Sequence, residues 1–373
     1  MHPFYGINVS ATRIDFQGFM VSNGDVQSMG LDSKEFPNDL MQPLVPGEIL
    51  QHELSLVRQQ LTTAANCHPW IKGWKQHLGP AIQAPIGVAI GVAYAMPPLV
   101  RQALRTAFAD ATRRPGWGNA PVVPVVTVEL PLAVAIERHA LGDDGEFGII
   151  SPGFGRVEAT RVVIARDRLS ISDFREWSLG NTSTIWNDWT LSNPAIRWLK
   201  LSNQSLDIGA VPANVSLETI GPDEVTRGVA RYAWSRPANN GTQLLPTIQR
   251  VVPRALGIIG RNAAGELFWH RLVNAGEAWP VEPVILRGEF DKQVVINVTC
   301  WVDGSSDKEW LPQSQWLGHL HWWQELLAPT HSGTSTSTPN QRLSLTCANP
   351  DEGFQFAGSV VDRKVGAGSP NAA

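Results

Sequence analysis

The pattern of apolar and polar positions changes at residues 220–259, and the stretches on either side predict different architectures. Before this stretch, helical spacing of apolar residues, as over 50–61, alternates with short apolar runs such as 86–95. After it, helical spacing disappears, and short β-branched or aromatic runs are separated by Gly, Asn, Asp and Pro. The first part therefore predicts an α/β domain and the second an all-β sandwich.

The first part alternates strands with helices. The pattern predicts a β-hairpin over 4–21, irregular structure over 22–47, a helix over 47–64, a strand over 86–95, a helix over 98–111, a strand over 122–128, a helix over 131–141, and strands over 147–151, 158–165 and 168–176. A last helix follows Gly221-Pro222, where Asp223 and Glu224 oppose the positive end of the helix dipole. This order is typical of an α/β fold.

The second part consists of strands only. The pattern predicts them over 251–259, 267–273, 284–286, 293–302, 316–323, 343–347 and 354–361. The predicted domains are residues 1–235 for the α/β domain, 236–249 for a linker, 250–364 for the β-sandwich and 365–373 for a disordered tail.

Composition narrows the class of protein. With 373 residues and 43% hydrophobic content, the chain can form packed cores in two or three domains. A net charge of -4 without a Lys/Arg cluster argues against a nucleic-acid partner. Prolines and glycines interrupt the uncharged run between His77 and Arg101, which favours a buried strand over a membrane span. The three cysteines show no metal-ligand spacing, and the N-terminus lacks a signal-peptide pattern, so we expect a cytoplasmic protein.

The stretch at which the pattern changes also carries the most specific sequence. IGPDEVTRGVARYAW resembles the helix that closes the nucleotide-binding domain of the seventy-kilodalton heat-shock (DnaK-type) chaperones, and VVPRALGII resembles the first strand of their substrate-binding β-sandwich. Leu244-Leu245 stands where that family has its hydrophobic interdomain linker. VAIGVAYAMPPLVRQAL, VTVELPLAVAIERHAL, FGIISPGFGRVEATRVVI and LSLTCANPDEGFQFAG match further family segments in the same order. The resemblance implies a shortened actin-like (ribonuclease-H-like) domain followed by a β-sandwich of the DnaK-type substrate-binding class.

The resemblance also implies a nucleotide site whose chemistry has degenerated. The two phosphate turns of the family correspond to residues 7–12 and 151–156, so the implied nucleotide-binding residues are Ser10, Thr12, Gly153 and Gly155. Positions that are acidic in the family hold Asn8, Ser151 and Leu130 here. Glu129 comes one position early and, on a strand, is expected to face the opposite way. We therefore expect no catalytic residue and no metal site.

The sandwich is the part that the resemblance connects with binding. In the family, an extended peptide lies across the sandwich, where main-chain hydrogen bonds and an apolar pocket hold it. The matching positions are Ile258, Ile259, Val284, Ile285, Leu286, Val294, Ile296 and Val298. Arg261 lies near a position that is large and apolar in the family, and no helical lid is expected after Lys364, so bound peptide should exchange quickly.

One leading hypothesis and two alternatives follow. The leading hypothesis is an ATP-independent, chaperone-like pseudo-ATPase that needs no cofactor, binds unfolded or extended polypeptides, and has a complete DnaK-type chaperone or its co-chaperones as a further partner. Its linker residues Leu244 and Leu245 should dock permanently. The first alternative is a divergent active chaperone ATPase that uses ATP and Mg²⁺. The second is a non-enzymatic scaffold whose fifteen tryptophans serve a protein or glycan interface.

Overall fold

The fold is known from a computed structural model. It describes residues 3–9, 13–22, 25–35, 87–94, 101, 104–105, 108–109, 125–152, 156–178, 185–186, 196–202, 208–235, 245–253, 255–261, 267–279, 281–288, 296–301, 315–320, 340–347 and 355–361. The helix predicted over 47–64 lies outside these ranges. Within them, no helix is both long and apolar enough to cross a membrane.

The first sheet has five strands in the order β3-β2-β1-β4-β5. The strands are β1 (Pro3–Val9), β2 (Arg13–Ser22), β3 (Asp25–Glu35), β4 (Gly87–Val92) and β5 (Val125–Glu129). Neighbours β1, β2 and β3 are antiparallel, whereas β4 and β5 continue the sheet in parallel from β1. β4, with the sequence GVAIGV, is buried along its whole length, as expected for an apolar run in the middle of a sheet.

The second sheet repeats this arrangement and extends it. Its order is β10-β9-β6-β7-β8-β11-β14. The strands are β6 (Gly145–Pro152), β7 (Arg156–Ala165), β8 (Arg168–Ser178), β9 (Arg197–Leu201), β10 (Leu217–Ile220), β11 (Thr247–Val251) and β14 (Ala278–Trp279). β6, β7 and β8 form an antiparallel meander, and β9 and β10 follow β6 in parallel. When β6 to β10 are numbered 1 to 5, their order from β8 to β10 is 3-2-1-4-5, the same as in the first sheet. This repeated order is the duplicated ribonuclease-H-like architecture of an actin-like domain.

A helix follows the fifth strand of each repeat. Helix α1 (Leu130–Ala140) follows β5, and helix α2 (Pro222–Trp234) follows β10. Each has a proline in its first turn, where the missing N–H group costs no hydrogen bond. α1 packs on β6, β7 and β8 of the second sheet, whereas α2 packs on β1, β2 and β4 of the first. Each repeat therefore supplies a helix to the core of the other.

The two helices cross at very close range. A Cβ atom on Gly228 of α2 would lie 1.9 Å from the carbonyl oxygen of Ala133 in α1, so only glycine fits there. Ion pairs flank the crossing. Arg231 of α2 lies 2.6 Å from buried Glu137, and Arg138 of α1 lies 2.6 Å from Glu224. The crossing fixes how the two repeats sit together.

The tryptophans that the structure describes in the second repeat are mostly packing residues. Trp177, Trp186 and Trp198 are buried, with Trp186 edge-on to Trp198, in a small core on one side of the second sheet. Gly148 lies beneath Trp198. These three rings are therefore not exposed to a ligand, and the protein or glycan interface of the scaffold alternative stays a prediction.

The C-terminal part contains two further sheets. One has the order β13-β12-β16-β17 and the other β15-β18-β19. The strands are β12 (Ala255–Arg261), β13 (Leu267–Val273), β15 (Val281–Gly288), β16 (Ile296–Trp301), β17 (Gln315–Leu320), β18 (Asn340–Cys347) and β19 (Gln355–Val361). All their pairings are antiparallel. Two antiparallel sheets are what a sandwich requires, and their face-to-face packing remains a prediction.

Two sequence-based expectations are wrong. Residues 22–47 were expected to be irregular, yet 25–35 form β3. This strand pairs antiparallel with β2 at the end of the first sheet's strand order, where a polar sequence such as DVQSMGLDSKE is tolerated. The single strand expected over 251–259 is two strands. Thr247–Val251 is β11, which joins the second α/β sheet alongside β8, and the C-terminal sheets begin only at β12.

Candidate functional site

The first polar feature of the interior lies at the end of the β1–β2 hairpin. Asn8 and Asp15 are directly opposite each other on the two strands, and both are completely buried. The Asn8 amide nitrogen donates to Asp15 Oδ2 over 3.3 Å. Its Oδ1 atom has no hydrogen-bond partner among the described residues. Because Gly6, two positions earlier, contacts Thr226 of α2, Asn8 lies on the sheet face that the central helices cover.

The β6–β7 hairpin has the same feature at the equivalent place. Ser151 on β6 pairs with Glu158 on β7, just as Asn8 on β1 pairs with Asp15 on β2. In both hairpins the first residue of the pair is the next-to-last residue of its strand, and the second is the third residue of the following strand. Both are buried, and the backbone N–H of Tyr94 donates to Glu158 Oε2 over 2.8 Å. The hydroxyls of Ser151 and of neighbouring Thr160 have no partner in the described part of the chain. Buried polar atoms without partners are costly, so a site that leaves several of them is a candidate for ligand binding.

These hairpins add a feature that the sequence-based interpretation did not include. Asn8 and Ser151, which stand at positions implied by the resemblance to be acidic, each face a carboxylate across their hairpin, at Asp15 and Glu158. The four residues implied to bind nucleotide at the hairpin tips, Ser10, Thr12, Gly153 and Gly155, lie outside the described residues.

Glu129 occupies the end of β5 and has a different role. Its carboxylate lies 2.9 Å from Arg101 Nη1 and 3.2 Å from Arg250 Nε, and both carboxylate and Arg101 are almost fully buried. Burial alone would raise the pKa of Glu129, but Arg250 and Arg101 lower it to about 2. A carboxylate held by two guanidinium groups is a poor base. Leu130, the next residue, is buried and begins α1, so neither residue offers a base for hydrolysis.

The arrangement offers oxygen atoms from two hairpins. Amide, hydroxyl and carboxylate oxygens are ligands that Mg²⁺ prefers. Among the described residues, no three His, Cys, Asp or Glu side chains form a metal-binding group. Each hairpin on its own therefore offers a cation too few ligands, and binding there would need further oxygen ligands, such as those of a phosphate or water.

The residues predicted to bind peptide belong to two different sheets. Ile258 on β12 pairs with Val298 on β16, and Ile259 pairs with Asn297. Because successive strand residues lie on opposite faces, Ile258, Ile296 and Val298 share one face of the four-stranded sheet and Ile259 belongs to the other. Val284, Ile285 and Leu286 lie on β15 of the three-stranded sheet. Val294 is outside the described residues.

The linker prediction can be followed at one of its two residues. Leu244 is outside the described residues, whereas Leu245 is partly buried and packs against the main core of the α/β half. The strand that follows, β11, runs parallel to β8 over residues 247–249. The segment after Leu245 thus adds a strand to the second sheet, whereas permanent docking of the linker stays a prediction.

The sequence and the structure were compared with known proteins. No protein-family model and no curated protein matches the sequence. Among solved structures, the Aquifex aeolicus PPX-GPPA enzyme aligns over 54% of this chain and 68% of its own, at 8% identity and a TM-score of 0.30. The ethanolamine utilization protein EutJ from Carboxydothermus hydrogenoformans aligns over 62% and 89%, at 9% identity and a TM-score of 0.40. The PilM-PilN type IV pilus biogenesis complex aligns over 61% and 98%, at 12% identity and a TM-score of 0.37. At such values the actin-like assignment rests on the duplicated strand order.

Proposed function

We propose that this chain is a chaperone-like protein that binds extended apolar polypeptide segments without a nucleotide cycle. The environment of Glu129 is the observation that supports the absence of a nucleotide cycle. Its two arginine partners keep it ionised and make it too weak a base to activate water. Leu130, at the position of the family's catalytic glutamate, has no group that activates water. The α/β half then serves as a platform for the C-terminal sheets.

The binding half of the proposal is supported by the resemblance and by the register of β12 and β16. Three of the apolar residues implied by the resemblance, Ile258, Ile296 and Val298, share one sheet face. An extended peptide satisfies its backbone by main-chain hydrogen bonds and its side chains in apolar pockets, so a common apolar face is the expected surface.

Fluorescence anisotropy with a labelled Leu-rich peptide tests the proposal. We expect saturable binding that Ile258→Ser weakens about tenfold, while Ile259→Ser, on the opposite face of the same strand, serves as the matched control and retains it. Absence of binding at any accessible concentration, or equal loss in both variants at equal stability, would refute the proposed face.

A second candidate function is favoured by the two hairpins. Asp15 and Glu158 supply carboxylates where the resembled family holds Mg²⁺ and phosphate, and Asn8, Ser151 and Thr160 add oxygens without a described partner. This candidate is binding of a Mg²⁺-nucleotide without turnover, in which Mg²⁺ neutralises phosphate charge and the hairpin oxygens orient it.

Isothermal titration with Mg²⁺-ATP distinguishes this candidate. We expect Asp15→Asn and Glu158→Gln each to weaken binding about tenfold, as loss of a charged ligand would. Asp144→Asn, an exposed carboxylate outside the hairpins, is the control. No heat of binding in the unmodified protein would exclude the candidate, whereas phosphate release above the background of the variants would favour an active ATPase.

A further inference from the structure

The strand β11 is held on both edges by different parts of the chain. On one edge, residues 247–249 pair with β8, and the N–H of Thr247 donates to the carbonyl of Asp167 over 2.9 Å. On the other edge, Arg250 and Val251 pair with β14. The N–H of Val252 donates to the Glu277 carbonyl over 2.7 Å, and Gly276 donates back to Val252 over 2.9 Å. β11 is thus the strand at which the α/β half and the C-terminal part join.

At Val251, two residues past the end of the pairing with β8, the side chain of Tyr94 makes the hydrogen bonds that a neighbouring strand would otherwise make. The Tyr94 hydroxyl donates to the carbonyl of Val251 and accepts from the Val251 N–H, which lies 3.2 Å away. One side chain therefore satisfies both backbone groups of that residue. Burial raises the pKa of Tyr94 far above its usual range, so the hydroxyl keeps the proton it donates. These bonds recognise a backbone and do not depend on which side chain the strand carries.

A charge contact adds sequence selectivity to this backbone recognition. Arg250 reaches buried Glu129 at 3.2 Å and the hydroxyl of Tyr232 at 3.4 Å. Arg101 occupies the other oxygen of Glu129 and also donates to the Tyr94 carbonyl over 2.7 Å, so it orients the carboxylate and the tyrosine together. Apolar contacts complete the fit, because Leu245, Ile248 and Val251 pack on the main core.

We propose that the edge of β8, together with Tyr94 and Glu129, is a strand-acceptor site specific for an extended segment ending in Arg-Val. Its occupant is β11 of the same chain. The contacts involve backbone, charge and apolar groups at once, so the association does not depend on the covalent connection before β11. The α/β half and the C-terminal part should stay together when the chain is cut between residues 236 and 244.

A cleavable site inserted within residues 236–244 tests this directly in the full-length protein. After cleavage, the two fragments should co-elute in size-exclusion chromatography at micromolar concentration. Arg250→Gln should speed their dissociation at least about thirtyfold, because it leaves a buried charge short of a partner. Tyr94→Phe should speed it about tenfold, through loss of the hydroxyl that holds Val251.

Matched controls separate this site from general loosening. Arg197→Gln removes an exposed arginine paired with Asp143, and Tyr5→Phe removes a buried hydroxyl from β1, and neither should change the dissociation rate. In the uncut protein, hydrogen exchange at Val251 and Val252 should rise in Tyr94→Phe and not in Tyr5→Phe. The proposal would be overturned if the unmodified fragments separated after cleavage. It would also be overturned if neither Arg250→Gln nor Tyr94→Phe changed the rate at which the fragments dissociate. Neither result depends on whether the protein binds peptide.

Discussion

The first and second repeats of the α/β half share a strand order but differ at their edges. Both end their first strand with a buried polar pair, Asn8–Asp15 in one and Ser151–Glu158 in the other. In the described residues the first sheet ends at β3, an edge strand, whereas the equivalent strand of the second sheet, β8, accepts β11. The interior of the duplicated fold is thus similar in both repeats, while the edge of one has become the joint to the rest of the chain.

The comparison also shows what holds the repeats together. Each helix packs on the sheet of the other repeat, and the helices meet where Gly228 contacts Ala133. The core of each repeat therefore includes a helix that belongs to the other repeat. The predictions below test this interdependence, then the edge that differs, and last the hairpins that match.

The largest effect is expected at the helix crossing. Gly228→Ala would place a methyl group 1.9 Å from the Ala133 carbonyl oxygen, and both groups belong to helix backbones that cannot yield easily. We expect a loss of about 3 kcal/mol or more in the free energy of unfolding, measured by urea denaturation. Gly221→Ala is the control, since its new Cβ would meet nothing within 4 Å, and it should cost about 1 kcal/mol at most. Equal effects would mean that the crossing is not the close contact described.

The second effect concerns Glu129, which joins the first repeat to β11. Glu129→Gln leaves Arg101 and Arg250 without their buried counter-charge and should cost about 3 kcal/mol, again by urea denaturation. Glu146→Gln, at a more exposed ion pair with Arg161, should cost about 1 kcal/mol or less. If the two losses were similar, the buried network would contribute no more than a surface pair.

The same residue predicts a pH dependence. The pKa of Glu129 is lowered from an ordinary value of 4.5 to about 2 in the folded protein. Its contribution to stability is therefore complete above pH 4.5 and is lost as the pH falls from 4.5 towards 2. Urea midpoints recorded across this range should fall more steeply for the unmodified protein than for Glu129→Gln. Parallel curves would contradict the assignment.

The smallest expected effect is a response to Mg²⁺, which distinguishes the matching hairpins from ordinary buried pairs. Asn8→Asp places a second carboxylate opposite Asp15, and Ser151→Asp does the same opposite Glu158. Because both pairs are buried, the second carboxylate should destabilise each variant by several kcal/mol unless the two carboxylates share a proton, seen as a lower melting temperature. If the hairpins accept a cation, Mg²⁺ should restore more stability to these variants than to the unmodified protein. An equal response to Mg²⁺ in all three proteins would argue against a cation at either hairpin.

Much of the α/β half could be predicted from the sequence. The strands β1, β2 and β4 to β8, and the helices α1 and α2, follow from local patterns that the structure confirms in the described part of the chain. The duplicated strand order could not, because strand pairing depends on contacts between distant residues. The ion pairs of Glu129 could not be predicted for the same reason, since Arg101 and Arg250 lie far from it along the chain. β11 was merged with the following strand because the apolar pattern of VVPRALGII does not show that its two ends belong to different sheets.

The most direct test of the proposed function is the dissociation rate of a bound Leu-rich peptide, measured by stopped-flow fluorescence with and without saturating Mg²⁺-ATP. In the α/β half, two arginines fix Glu129, and the connection to the C-terminal sheets is a strand that is paired on both edges. We therefore expect that ATP does not change how the C-terminal sheets bind peptide. The predicted ratio of the two rates is therefore one. A change of more than about threefold, close to 0.65 kcal/mol of coupling, would show that the two parts communicate through nucleotide and would contradict the proposal.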